Sequence, residues 1–350
     1  MMKRTTRLWC SAIIALIVCA SFQNRRSEFL GAVVYDRESP TTAKSESQTL
    51  QDSLFSELRV NASLHNFTGP LEHWKYLLPK VLPVISDKPL RCRANDIRKR
   101  CVCDPFVAME GKRDKKTGGK NSSWFIHHDK MVQIAKAAPD DLDVLFLGDS
   151  IIERWNGTRY LGRRSIPENR EAFERKFSKA RGAKLEGLAC GSAEDVAQHL
   201  NWHIQNGVLP ESINPKVIWI LIGTNNFFGD CSTPDTVVSA IMEVALQIRK
   251  RKPFTKIVLQ GLLPRGDRLG SIELETGWKL IQETNKRLES IAHILPELYY
   301  YGMDESLFLT QEEGRTIINK KMMQDCVHPT SAAYGLMGDL IEAKILQLLS

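Results

Sequence analysis

The chain has no internal repeat, no low-complexity tract and no long run of like charge on its body. Its 350 residues are 43% hydrophobic and 25% charged, which excludes a disordered or collagen-like protein and leaves room for one or two domains. The formal net charge of +7 is unevenly placed: residues 1–30 carry +4 and residues 91–120 carry +6, so the remainder sums to −3. A nucleic-acid-binding fold carries its basic surface on the folded body, so nucleic acid is not an expected partner. Nor is there a zinc-site pattern. Cys101 and Cys103 stand one residue apart, but no companion Cys/His pair has metal-ligand spacing, and the expected chemistry is disulfide formation.

The longest apolar run is also modest. Leu8–Phe22 follows Lys3, Arg4 and Arg7 and precedes Arg25 and Arg26, the layout of a secretory signal. A spanning helix needs about 20 residues, so residues 1–22 read as a signal peptide, with Val18-Cys19-Ala20 suited to cleavage, or as an uncleaved signal anchor. Both predict the secretory pathway, with the protein either secreted or attached to a membrane by this segment and facing the lumen. Four N-glycan sequons agree, at Asn61, Asn66, Asn121 and Asn156. Six cysteines follow the signal (Cys92, Cys101, Cys103, Cys190, Cys231 and Cys326), an even count that allows disulfides in an oxidising compartment without choosing the pairing.

Residues 23–70 are polar and aperiodic and read as a stem. Residues 71–123 hold an apolar patch (Trp74, Tyr76, Leu77, Leu78, Val81) and then a basic, cysteine-bearing stretch, an elaboration on the main domain. From 124 to 350 the pattern alternates between strands and helices. Short apolar runs at 144–147, 185–190, 216–222, 256–263 and 298–301 mark strands covered on both faces. A helix opens at Thr233-Pro234-Asp235 with a capping hydroxyl and a first-turn proline and ends in Arg249-Lys250-Arg251-Lys252; a last helix starts near Ser331. The expected fold is α/β, a three-layer sandwich with a central parallel sheet of about five strands. Ligands bind such sheets beyond the carboxyl ends of the strands.

Polar groups gather at those ends. The first strand ends in Gly148-Asp149-Ser150 and the third in Gly223-Thr224-Asn225-Asn226, while Asp325-Cys326-Val327-His328-Pro329 precedes the last helix. Together they supply a hydroxyl nucleophile, an imidazole to take its proton, a carboxylate to orient the imidazole, and donors for an oxyanion.

These three blocks, in this order, with GLLPRG at 261–266 and the helix from Trp124 to Lys136, resemble the SGNH/GDSL hydrolase superfamily. Within it the chain is most similar to the catalytic alpha subunits of intracellular platelet-activating-factor acetylhydrolase, from Trp124 to the C-terminus. The resemblance implies Ser150 as nucleophile, His328 as base and Asp325 as its orienting acid. The oxyanion donors it implies are the Ser150 amide, the Asn225 side chain and a backbone amide near Gly191. Gly191 matches the first glycine of that block and is the expected donor; Glu194 stands where the family has its catalytic glycine, and is the alternative. No metal or organic cofactor is implied.

The expected activity is hydrolysis of short-chain, acetyl-type esters, with a small ester or an acylated lipid or glycan as substrate. A glycan O-acetyltransferase and a binding module with little turnover are the alternatives, and a homodimer is compatible with the resemblance. Other residues read more plainly. Asp149 is expected to hydrogen-bond structurally, His127 and His128 to serve surface and helix packing, and Asn285 to be a structural amide. Arg265 is expected either to meet an anionic substrate group or to brace its loop. Cys190, Cys231 and Cys326 all lie near strand ends, where a disulfide would stiffen the rim.

Overall fold

A computed structural model describes residues 67–85, 104–111, 122–228, 233–266, 271–272, 274 and 276–350, with scattered residues between 53 and 65. Contacts divide the chain into Met1–Thr49 and Leu50–Ser350, and the described residues all belong to the second unit. The N-terminal apolar run, the sequons at Asn61, Asn66 and Asn121, and Cys92, Cys101, Cys103 and Cys231 lie outside them. Among the described residues no helix is long and apolar enough to cross a membrane.

The strands are β1 (Val144–Gly148), β2 (Thr158–Arg159), β3 (Arg164–Ser165), β4 (Gly187–Gly191), β5 (Val217–Leu221), β6 (Lys256–Gln260), β7 (Leu298–Tyr301), β8 (Leu309–Glu312) and β9 (Arg315–Ile318). Five of them form one sheet in the order β4-β1-β5-β6-β7, every pairing parallel. β2–β3 and β8–β9 are small antiparallel pairs. Every residue of β1 and β5 is buried, as expected for central strands with helices on both faces.

The helices are α1 (Pro70–Ile85), α2 (Ser123–Lys136), α3 (Ser150–Trp155), α4 (Pro167–Phe177), α5 (Ala197–His203), α6 (Pro234–Arg251), α7 (Thr276–Ala292) and α8 (Ser331–Leu349). α3, α4 and α8 pack together, while α6 contacts α1, α5 and α7. α1 is pinned where the Trp74 indole N–H donates to the Pro296 carbonyl, 2.8 Å away, and the Arg249 guanidinium lies over the same ring.

This strand order reverses direction between β1 and β5, because the chain leaves β1 for β4 on one side and returns past it to β5 on the other. The loops leaving β1 and β5 therefore diverge and open a crevice. An aromatic cluster of Phe146, Trp155, Phe173 and Phe177 packs beneath α3, and Trp155 stacks on Tyr334 of α8. The Tyr334 hydroxyl donates to the Ile151 carbonyl at 2.7 Å, tying the last helix to the first turn of α3. Gly148 must be glycine: a Cβ there would stand 2.2 Å from the Leu221 carbonyl oxygen of β5.

Candidate active site

Ser150 is the first residue of α3, directly beyond β1. Asp149 caps that helix, its Oδ1 accepting the Ile151 N–H at 2.9 Å, so its side chain is committed to local structure. Burial, reinforced by the charge of Asp195, pushes the Asp149 carboxyl up to about 7, against the Ile151 hydrogen bond and Arg265. Arg265 itself donates to the carbonyl and hydroxyl oxygens of Thr224, both at 3.2 Å, bracing the loop after β6 against the loop after β5.

His328 arrives from the other end of the sequence. The turn before α8 is tight: Cys326 has φ +60, and its carbonyl accepts the Gly266 N–H. The fold-back lets Asp325 Oδ1 accept the backbone N–H groups of Val327 at 3.1 Å and His328 at 2.8 Å. Asp325 Oδ2 lies 2.9 Å from His328 Nδ1, and His328 Nε2 lies 2.8 Å from the Ser150 hydroxyl. Hydroxyl, imidazole and carboxylate thus stand in a row.

The electrostatics suit proton transfer. Burial works to raise the Asp325 carboxyl, but the His328 hydrogen bonds and charge, with Arg154, hold it well below the usual carboxylate range. An ionised Asp325 accepts Nδ1–H and leaves the Nε2 lone pair turned to Ser150. Burial lowers the His328 imidazole below its ordinary value, the positive charges of Arg154 and Arg265 lower it further, and Asp325 opposes them. Arg154 was not singled out in the sequence; its Nη1 stands 3.2 Å from Asp325 Oδ2.

The segment after β4 faces the same crevice. Gly191 pairs with Gly148, and a Cβ on it would come within 2.3 Å of the Glu153 nitrogen and 2.6 Å of the Asp149 carbonyl oxygen, so it packs closely on α3. Beyond it, the Ser192 amide bonds the Gly148 carbonyl, the Ala193 amide bonds Glu153 Oε2 at 2.9 Å, and the Asp195 amide bonds the Ser192 carbonyl. Glu194, at φ +66, is the one residue of 192–195 whose amide carries no hydrogen bond. Asn225, just after β5, donates from Nδ2 to the Asp195 carbonyl at 2.9 Å, which leaves its second N–H available.

Two expectations need correction. His127 and His128 are not surface residues, being only 7% and 5% exposed. The two rings diverge, with His127 Nε2 2.8 Å from the Gly191 carbonyl and His128 Nδ1 2.8 Å from His203 Nδ1. Cys190 and Cys326 are buried free thiols, so no disulfide joins them at the rim. Asn285 is a structural amide, bonded to both the N–H and the carbonyl of Leu262. Asn156 lies at the C-terminal cap of α3, its Oδ1 accepting from Arg170. Among the described residues no cluster of His, Cys, Asp and Glu has the form of a metal site.

Residues 146–336 match the model of the GDSL-like lipase/acylhydrolase family. The chain is 28% identical over 226 residues to the human platelet-activating factor acetylhydrolase IB subunit alpha2, a match covering 65% of this chain and 85% of that one. The Gallus gallus alpha2 subunit is 27% identical with the same coverage. Among solved structures, a GDSL-like lipase from Bacteroides thetaiotaomicron superposes with a TM-score of 0.48 at 19% identity, covering 63% of this chain and 98% of that one.

Proposed function

Because this chain belongs to the GDSL-like lipase/acylhydrolase family and is an ester hydrolase, we propose that it cleaves short-chain, acetyl-type esters through Ser150, His328 and Asp325. The row from the Ser150 hydroxyl through His328 to Asp325, with contacts of 2.8 and 2.9 Å, carries this reading. Ser150 Oγ attacks the ester carbonyl as its proton passes to His328 Nε2, and Asp325 stabilises the imidazolium that forms. The oxyanion of the tetrahedral intermediate takes hydrogen bonds from the Ser150 amide, the free Asn225 N–H and the Glu194 amide. Glu194 is favoured over Gly191 because its amide is uncommitted while Gly191 is packed on α3.

The imidazolium then protonates the departing alkoxide, leaving an acyl group on Ser150. Water enters, His328 takes its proton, and the second tetrahedral intermediate collapses to free acid and serine. Acetyl is the acyl group suggested by the acetylhydrolase names of the relatives. A fluorophosphonate probe is expected to label Ser150. Ser150→Ala is expected to abolish hydrolysis of p-nitrophenyl acetate, and rates in wild type to fall from acetyl to octanoyl esters. Unchanged turnover in Ser150→Ala would overturn the mechanism, and a preference for octanoyl would overturn the acyl assignment alone.

A further inference from the structure

The amide of Glu194 and the side chain of Asn225 converge on one residue, Asp195. It follows Glu194 directly, and its carbonyl holds Asn225 Nδ2. A shift of the Asp195 backbone would act on Asn225 through the Asp195 carbonyl and on Glu194 through the chain. What fixes Asp195 is therefore part of the site's geometry, even without touching substrate.

Its carboxylate is wholly buried among rings contributed by α2 and α5. The Trp124 indole N–H donates to Asp195 Oδ1 at 2.7 Å. His203 Nε2 stands 2.9 Å from Oδ2, at an angle too bent for a good hydrogen bond, and His199 Nδ1 stands 3.5 Å from Oδ1. Trp124 also stacks on His203, with ring centroids 4.3 Å apart. Burial alone would push the Asp195 carboxyl up; His203 and His199 bring it down to about 2, so the group is an anion that needs its donors. From the next turn of α2, His127 holds the Gly191 carbonyl at the start of the same loop. α2 ends at Lys136, ahead of the family-model span of residues 146–336 but within the region that resembles the acetylhydrolase alpha subunits.

We infer that α2 is a brace for the oxyanion side of the site, with Trp124 as the positioning residue that fixes Asp195 and, through it, Asn225 and Glu194. This rests on the esterase reading above. Substrate binding leans little on these donors, which act on charge that develops in the transition state, so the brace should be visible in kcat rather than KM.

Trp124→Phe keeps an aromatic ring, smaller than indole, and removes the N–H. It is expected to lower kcat about tenfold on p-nitrophenyl acetate, with KM within about twofold, and to slow fluorophosphonate labelling of Ser150 in parallel. The decisive comparison is with Asn225→Ala. If Trp124 acts by placing these donors, its substitution should cost less than about threefold once Asn225 is gone, whereas a general packing role gives the same loss in both backgrounds. An unchanged kcat, or equal losses in the two backgrounds, overturns the inference. Should Trp124→Phe fail to fold, Asp195→Asn, which removes the charge at constant size, carries the same comparison. Failure of the esterase reading is distinguished beforehand, since wild type would then show no turnover that depends on Ser150.

Discussion

Arg154 and His328 meet at one atom: Nη1 of the arginine lies 3.2 Å, and Nδ1 of the histidine 2.9 Å, from the same Oδ2 of Asp325. The arginine both secures the carboxylate and places a positive charge beside the base. That charge disfavours the imidazolium, so removing it raises the His328 pKa. In the proposed mechanism attack requires a neutral imidazole, so activity is expected to be lost as pH falls through that pKa. Arg154→Gln is expected to move the acid limb of the kcat/KM profile to higher pH, read from a series of buffers at constant ionic strength.

Asp149 predicts a pH dependence of stability. Its folded-state value of about 7 lies above the ordinary 3.8, so the folded protein holds a proton that the unfolded chain releases between those values. Stability is consequently highest below the lower value and declines as pH rises toward the upper one. Asp149→Asn keeps an acceptor for the Ile151 N–H and removes the titration. The melting temperature of this variant relative to wild type should rise from about pH 4 to about pH 7 and then level off; a constant difference would contradict the assignment.

Glu194 occupies the left-handed region, where a side chain costs about 1–2 kcal/mol and glycine costs nothing. Glu194→Gly is expected to raise stability by about 1 kcal/mol in urea unfolding. Because the proposed donor is the backbone amide, kcat should stay within about twofold. A large loss of turnover would assign the function to the carboxylate instead.

Gly191 has the opposite requirement. A methyl group there would overlap the backbone of α3 at Glu153 and Asp149, atoms that cannot move without shifting Ser150. Gly191→Ala is expected to cost about 3 kcal/mol or more and to reduce phosphonate labelling in whatever protein remains folded.

Much of this arrangement is legible in the sequence, for identifiable reasons. The uninterrupted apolar runs of β1 and β5 can be satisfied only by cover on both faces, which gives the parallel sheet and puts residues 150 and 225 at its carboxyl edge. The fold-back joining Asp325 to His328 is local, spanning three residues. The supports are harder to see. Arg154 finds Asp325, and Trp124 finds Asp195, only after the sheet has assembled, and no periodicity marks either pair. One signal was present: Glu153 and Arg154 fall three and four residues after Ser150, one turn along the same short helix, where side chains share its face. Adjacent histidines on a helix diverge, which suggests surface and helix-packing roles for those of α2, yet each ring turns inward to a separate acceptor or partner.

The 178 residues separating Ser150 from His328 bear on how the protein is made. Synthesis delivers the hydroxyl well before the imidazole, and Tyr334 of α8, which bonds the Ile151 carbonyl, comes later still. A nascent chain stalled after β7 would carry the proposed nucleophile Ser150 without the proposed base His328. On the proposed mechanism turnover needs both segments in place, so a turnover assay also reports that α8 has reached its seat.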